Sequence, residues 1–142
     1  MIFAKPTQRS VEDVFEYAEL QARVLYHEYL GAEHVLWAIL ELRDSESEIV
    51  LQACDMQPRA VLKRIKRLIA AGPPLECESP LLPQTPRLNS IVALAKEEAQ
   101  ATSDSFRPVH LILAFCRENE SVAAQALQPL TAEDVRSAMK RR

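Results

Sequence analysis

Glycine is almost missing from this sequence. Among 142 residues there are two, Gly31 and Gly72. Loops that cradle phosphates need several glycines, because their backbone N–H groups must approach the anion closely. No P-loop and no GxGxxG occurs, so nucleotide chemistry of those common kinds is excluded for this chain. Cysteine is sparse as well. Cys54, Cys77 and Cys116 form no CxxC, and any disulfide scheme leaves one thiol over; reduced thiols in a cytosolic setting fit that pattern. With no HExxH and no Cys/His cluster, neither a metal nor a cofactor is expected. An excess of positive charge is also absent. Seventeen Lys and Arg against twenty Asp and Glu leave a net charge of −3, which gives no general electrostatic case for binding nucleic acid or a membrane surface. No stretch approaches about eighteen uninterrupted apolar residues. The start, Met1-Ile2-Phe3-Ala4-Lys5-Pro6, lacks the apolar core of a secretion signal. The expectation is a soluble cytoplasmic protein.

What is present is helical patterning. Val11, Val14, Phe15, Ala18, Ala22 and Leu25 fall on one stripe, with Thr7 as the expected cap after Pro6. Gly31 marks a sharp turn. A second helix follows from about Glu33 to Arg43, with Val35, Leu36, Ile39 and Leu40 facing inward. Ser45 or Ser47 caps a short third helix over 48–54, and Pro58 opens a fourth, with Val61, Leu62, Ile65, Leu68 and Ile69 inward. Residues 72–84 form a proline-rich linker. Thr85-Pro86 restarts the pattern, with Leu88, Ile91, Val92, Ala95 and Ala99 inward. Pro108, Ser121 and the Thr131/Asp134 capping box then open three more helices. No segment alternates with period two, so no sheet is predicted.

The chain repeats itself. Thr7 and Thr85 lie 78 residues apart, Ala18 and Ala95 77, His34 and His110 76, and Ala53 and Ala126 73. The reading is an all-α, pseudo-twofold tandem of two four-helix repeats in one domain, over 1–71 and 85–142.

Tyr29-Leu30-Gly31-Ala32-Glu33-His34-Val35-Leu36 resembles the Y-I-G-T-E-H-L-L signature of the Clp N-terminal repeat. Ser121-Val122-Ala123-Ala124-Gln125-Ala126-Leu127 is similar to the G-V-A-A-x-x-L segment that follows it, and Thr85-Pro86-Arg87 to the start of the second repeat. The resemblance covers nearly the whole chain. It implies a domain of hexameric AAA+ unfoldases that catalyses nothing itself. Such a domain recruits unfolded or marked substrate proteins, or adaptor proteins, and hands them to the Clp ATPase ring. An alternative is a free-standing regulator that contacts the Clp ATPase or peptidase ring. In some members the Glu of the T-E-H motif in each repeat helps to bind phosphoarginine, a degradation mark. Only Glu33 carries over: Ala32 replaces the motif Thr, and Val109 stands where the second repeat would have its Glu. A carboxylate accepts a guanidinium fork, and a valine cannot.

Each candidate has a plainer reading beside it. Glu33 is either a ligand-gripping carboxylate or a first-turn charge worth about 0.3–1 kcal/mol. Phe3, Tyr29, Phe106, Leu81 and Leu82 either line an apolar groove between the repeats or make ordinary core contacts. For His34 and His110, matched repeat positions favour a structural role, tying a helix start to nearby backbone, over metal or acid–base work. His27-Glu28 reads as surface. Cys54 and Cys116 read as small core residues. Cys77, between two glutamates, is a poor nucleophile, which disfavours a Cys/His hydrolase. Lys63, Arg64, Lys66 and Arg67 are either a dock for an acidic partner or a solvated helix face.

Overall fold

The computed structural model describes residues 5–69 and 82–140. Eight helices occur among them: α1 Val11–Val24, α2 Ala32–Glu41, α3 Ser45–Ala53, α4 Pro58–Leu68, α5 Pro86–Ala101, α6 Pro108–Glu118, α7 Val122–Leu127 and α8 Ala132–Lys140. No strand is present among the described residues, only two isolated bridges, Thr7 with Asp44 and Leu30 with Gln84. Most of the linker, with Gly72 and Cys77, lies outside the described residues, as do Phe3 and Leu81.

Cap chemistry sets most of the boundaries. Thr85 Oγ1 accepts from Leu88 N at 3.1 Å, Ser121 Oγ from Ala124 N at 3.1 Å, and Thr131 and Asp134 exchange both bonds of a capping box. Prolines at the first positions of α4, α5 and α6 lose no intrahelical bond. Thr7 is not a cap. Its N–H donates to Arg43 O and its carbonyl accepts from Ser45 N, both at 3.0 Å, so long-range pairing holds residues 7–9 out of the helix and Ser10 caps α1 instead. Thr7 and Thr85 are therefore not equivalent, and the offset of 78 between them is a coincidence of residue type. α3 also begins earlier than its sequence pattern suggests. Asp44, fully buried, accepts from Ser47 N, Ser47 Oγ and Arg9 N, so an aspartate takes the capping role expected of a serine. Gly31 has φ −117°, extended backbone open to any residue; its small size matters for a different reason, given below.

α1, α2 and α4 pack together, as do α5, α6 and α8, while the third helix of each set crosses over. α3 docks on α6 and α8, and α7 docks on α2 and α4. This exchange makes one continuous core, containing Leu36, Ile39, Leu51, Ile112, Phe115 and Leu127. Burial of that scale is the main favourable contribution to folding, at about 25 cal/mol per Å² of apolar surface. Arg64 fastens the crossover, donating to the carbonyls of Ala126 and Gln128 at 3.3 and 2.6 Å. Leu68, expected inward, is 45% exposed because α4 ends there. Cys54 is half-buried at the end of α3, with Sγ 3.5 Å from Asp134 O, whereas Cys116 is in the core.

Candidate functional site

The two histidines at the repeat positions do the same local work. His34 is the third residue of α2, and its Nδ1 accepts from Gly31 N at 3.0 Å. His110 holds the third position of α6, and its Nδ1 accepts from Arg107 N at 3.0 Å. Each imidazole thus supplies the return bond of a capping box, from the third helical residue to the N-cap N–H, a task usually given to Glu or Gln. Because Nδ1 faces a donor, the neutral ring carries its proton on Nε2.

The surroundings of Nε2 then diverge. In the first repeat His34 Nε2 meets His27 Nδ1 at 2.7 Å, and the His27 ring stacks on Tyr29 with centroids 5.2 Å apart. His27 is therefore buried, not on the surface. Tyr26 turns the chain with φ 60°, and His27 N bonds back to Ala22 O at 2.9 Å, which directs the ring inward. Burial, then the neighbouring His27, lowers the His34 pKa to about 4, so it is neutral at physiological pH. Glu33 lies half-buried on the outer side of this helix start. Its carboxylate accepts from the Tyr29 hydroxyl at 3.2 Å. Burial first, and Glu33 second, raise the Tyr29 pKa. The same carboxylate folds over Gly31, where an added Cβ would lie 2.5 Å from Oε1. Glycine thus leaves the space in which Glu33 rests. No cation among the described residues pairs with Glu33. Leu30 N donates to Pro83 O at 2.9 Å and Thr85 N to Leu30 O at 3.0 Å, which brings the end of the linker beside this loop.

In the second repeat Arg107 stands where Gly31 stands in the first. Its guanidinium makes a fork on Glu46, with Nε at 2.8 Å and Nη2 at 3.1 Å from the two oxygens; Glu46 is 5% exposed. Burial lowers the His110 pKa, and Arg107 adds to the effect. Asp104 occupies the turn position of His27, with its N–H on Ala99 O at 2.8 Å after Ser103 at φ 57°. Its pKa is lowered, first by the hydrogen bond from Thr102. Val109 is fully buried and Ala32 nearly so; both join the core. Phe106 is half-buried, its ring centroid 6.4 Å from that of His110. Tyr29 alone of the aromatic candidates reaches Glu33, and Phe3 lies outside the described residues.

The basic stretch of α4 is partly engaged. Besides Arg64, Lys66 lies 5.4 Å from the Trp37 ring centroid and 3.7 Å from Glu41. A cavity of about 580 Å³ lined by Arg64, Arg67, Leu68, Gln125 and Gln128 lies where α4 of the first repeat meets α7 of the second. Among the described residues no group of three His, Cys, Asp or Glu is arranged to hold a metal. The Cys116 thiol is pushed up to about 12 by burial, so it is protonated and unreactive. No helix of the described residues is long and apolar enough to cross a membrane.

Known proteins resemble this chain in sequence and in fold. The model of the Clp repeat (R) N-terminal domain matches residues 5–132. The chain is 28% identical, over 92% of its length, to the ATP-dependent Clp protease ATP-binding subunit ClpC of Staphylococcus saprophyticus. It is 29% identical, over the same share, to the negative regulator of genetic competence ClpC/MecB of Bacillus subtilis. It spans 16% of the length of each of those relatives. Among solved structures, the Hsp104 N-terminal domain of Candida albicans superposes with a TM-score of 0.73 at 12% identity, over 95% of this chain and 89% of that one. The N-terminal domain of ClpD from Arabidopsis thaliana gives 0.68 at 12% identity, over 100% and 96%. With eight helices in two interlocked sets, capped at equivalent places by His34 and His110, this chain belongs to the Clp repeat N-terminal domain family.

Proposed function

We propose that this chain is a non-enzymatic recognition module of a Clp unfoldase or Clp protease system, and that it grips protein segments at the α2 helix start. The observation that carries the proposal is the Glu33 carboxylate. It sits half-buried over Gly31, next to the partly exposed Tyr29, with no cation among the described residues to neutralise it. Partial burial strengthens a charge-assisted hydrogen bond, and a carboxylate presents two oxygens to a guanidinium fork. The ligand class that fits is an arginine-type group, with phosphoarginine as the marked form. Tyr29 supplies an aromatic face beside the carboxylate on which a guanidinium plane can stack.

The second repeat contributes differently. Val109 offers no carboxylate, and the nearest guanidinium there, Arg107, is already forked onto Glu46. One arginine-type ligand per chain is expected. Adaptor or substrate segments would extend from it along the seam between the repeats, where the cavity between α4 and α7 opens. Glu33→Ala should lower affinity for a phosphoarginine-bearing protein at least tenfold, in keeping with loss of a charged hydrogen-bond pair. Titration calorimetry measures it. Unchanged affinity in a variant of normal thermal stability would remove Glu33 from the site.

A further inference from the structure

The second repeat holds an unused donor. His110 is 1% exposed, and its Nε2 has no hydrogen-bond partner among the described residues. Because Nδ1 accepts from Arg107 N, Nε2 carries the proton, and a buried N–H without an acceptor is costly. Asp104 Oδ2 is the nearest carboxylate oxygen, at 3.9 Å, beyond hydrogen-bond reach. In the first repeat the same atom of His34 is satisfied by the His27 ring. In the second repeat that ring is replaced by Asp104, and the space opens into a cavity of about 490 Å³ to which His110 contributes.

The wall of this cavity selects its occupant. Arg107 is forked onto Glu46, and Arg136 donates to both oxygens of Glu98 at 3.1 and 2.8 Å. Its two guanidiniums are therefore already neutralised, and the third cation, Lys140, is at the exposed end of α8. An anionic ligand would face the Asp104 carboxylate with no unpaired buried cation to hold it. A neutral group with an acceptor and a donor side by side meets both needs. We propose that this cavity binds a primary carboxamide, the side chain of glutamine or asparagine in a docked protein segment. Its carbonyl accepts from His110 Nε2–H, and its N–H donates to Asp104 Oδ2. A primary amide projects its oxygen and one N–H to the same side, which a trans backbone peptide does not. Leu113 and Met139 on the wall cover the aliphatic stem. Thr102 Oγ1, 2.6 Å from Asp104 Oδ2, holds the carboxylate in position. A free amino acid would also bring an α-carboxylate for which the cavity has no unpaired buried cation, so a segment of protein fits better.

The test compares N-acetyl-glutamine N-methylamide, N-acetyl-glutamate N-methylamide and free L-glutamine, each titrated into the whole ¹⁵N-labelled chain. NMR reads the His110 ring nitrogens and the Asp104 amide. The capped glutamine should shift both, with affinity about tenfold or more above that of the capped glutamate, the loss usual when a charged group lacks its partner. Asp104→Leu, in an exposed turn, should weaken the capped glutamine about fivefold or more while His110 keeps its cap. No shift at His110, an equal response to the glutamate compound, a response to free glutamine alone, or full affinity in folded Asp104→Leu would overturn the proposal. The ligand comparison on the unaltered protein decides it without any variant. The outcome is separate from that at Glu33, which lies at the other helix start and reports through other resonances.

Discussion

The α2 and α6 helix starts share one backbone device and differ in everything placed around it. Both are capped by a histidine at the third position, and both follow a turn with a left-handed residue, Tyr26 or Ser103. In the first, His27 fills the space over the capping histidine, and a glycine leaves room for a carboxylate that pairs with no cation among the described residues. In the second, Arg107 in the glycine position locks onto Glu46, and the space over the histidine is open. A repeat preserves the parts that hold the helix start together. The side chains placed around that start are where its two copies part. By this comparison the capping histidines are structural, and Glu33 and the cavity over His110 are the places to look for binding.

The largest effect should come from removing the more heavily bonded histidine. His34→Leu leaves the Gly31 N–H buried without its acceptor and removes the bond to the His27 ring, at about 3 kcal/mol of stability. His110→Leu removes one such bond and should cost less, which urea denaturation of the two variants will show. His34 also ties stability to pH. Its folded pKa, about 4, lies below the ordinary 6.5. The native state therefore binds fewer protons than the unfolded chain between those values. The contribution is fully present above about pH 6.5 and is lost as pH falls toward 4, on the order of 3 kcal/mol in all. That part of the pH slope should vanish in His34→Leu.

Arg107→Gly, which copies the first repeat into the second, should cost about 2 kcal/mol, because it removes two charged hydrogen bonds from the Glu46 carboxylate at 5% exposure. A thermal melt checks it, and Arg107→Lys should recover only part of the loss, since an ammonium cannot reproduce the fork. His27→Asp copies the second repeat into the first. A carboxylate beside His34 should raise its pKa from about 4 by about a unit, which an NMR titration of the ring reads directly. The smallest change in stability, within about 0.5 kcal/mol, is expected for Glu33→Ala, whose carboxylate is half-exposed and holds a single hydroxyl.

Helix number, order and most starts were legible in the sequence because caps and apolar stripes are local signals. Thr85-Pro86, Pro108, Ser121 and Thr131/Asp134 open helices as their chemistry requires. Thr7 misled because a threonine after proline is also the signature of a cap, and its actual pairing, with Arg43 and Ser45, is to residues far along the chain. His27 misled because its place next to Glu28 reads as a polar turn. The signal that could have found it is the repeat itself: His27 and Asp104 keep the offset of the alanines they bond to, Ala22 and Ala99. The cavity over His110 leaves no trace in residue types. It exists because a ring in one copy is a shorter side chain in the other, and that is visible only once both helix starts are superposed in space.

The most direct test of the account is a calorimetric titration of arginine-phosphorylated casein, and of unmodified casein, into the chain and into Glu33→Ala. The account predicts that the phosphorylated form binds more tightly, through one arginine-type site per chain, and that this advantage is lost in Glu33→Ala while the melting temperature stays put. Equal binding of both caseins, or an unaltered affinity in Glu33→Ala, would contradict it.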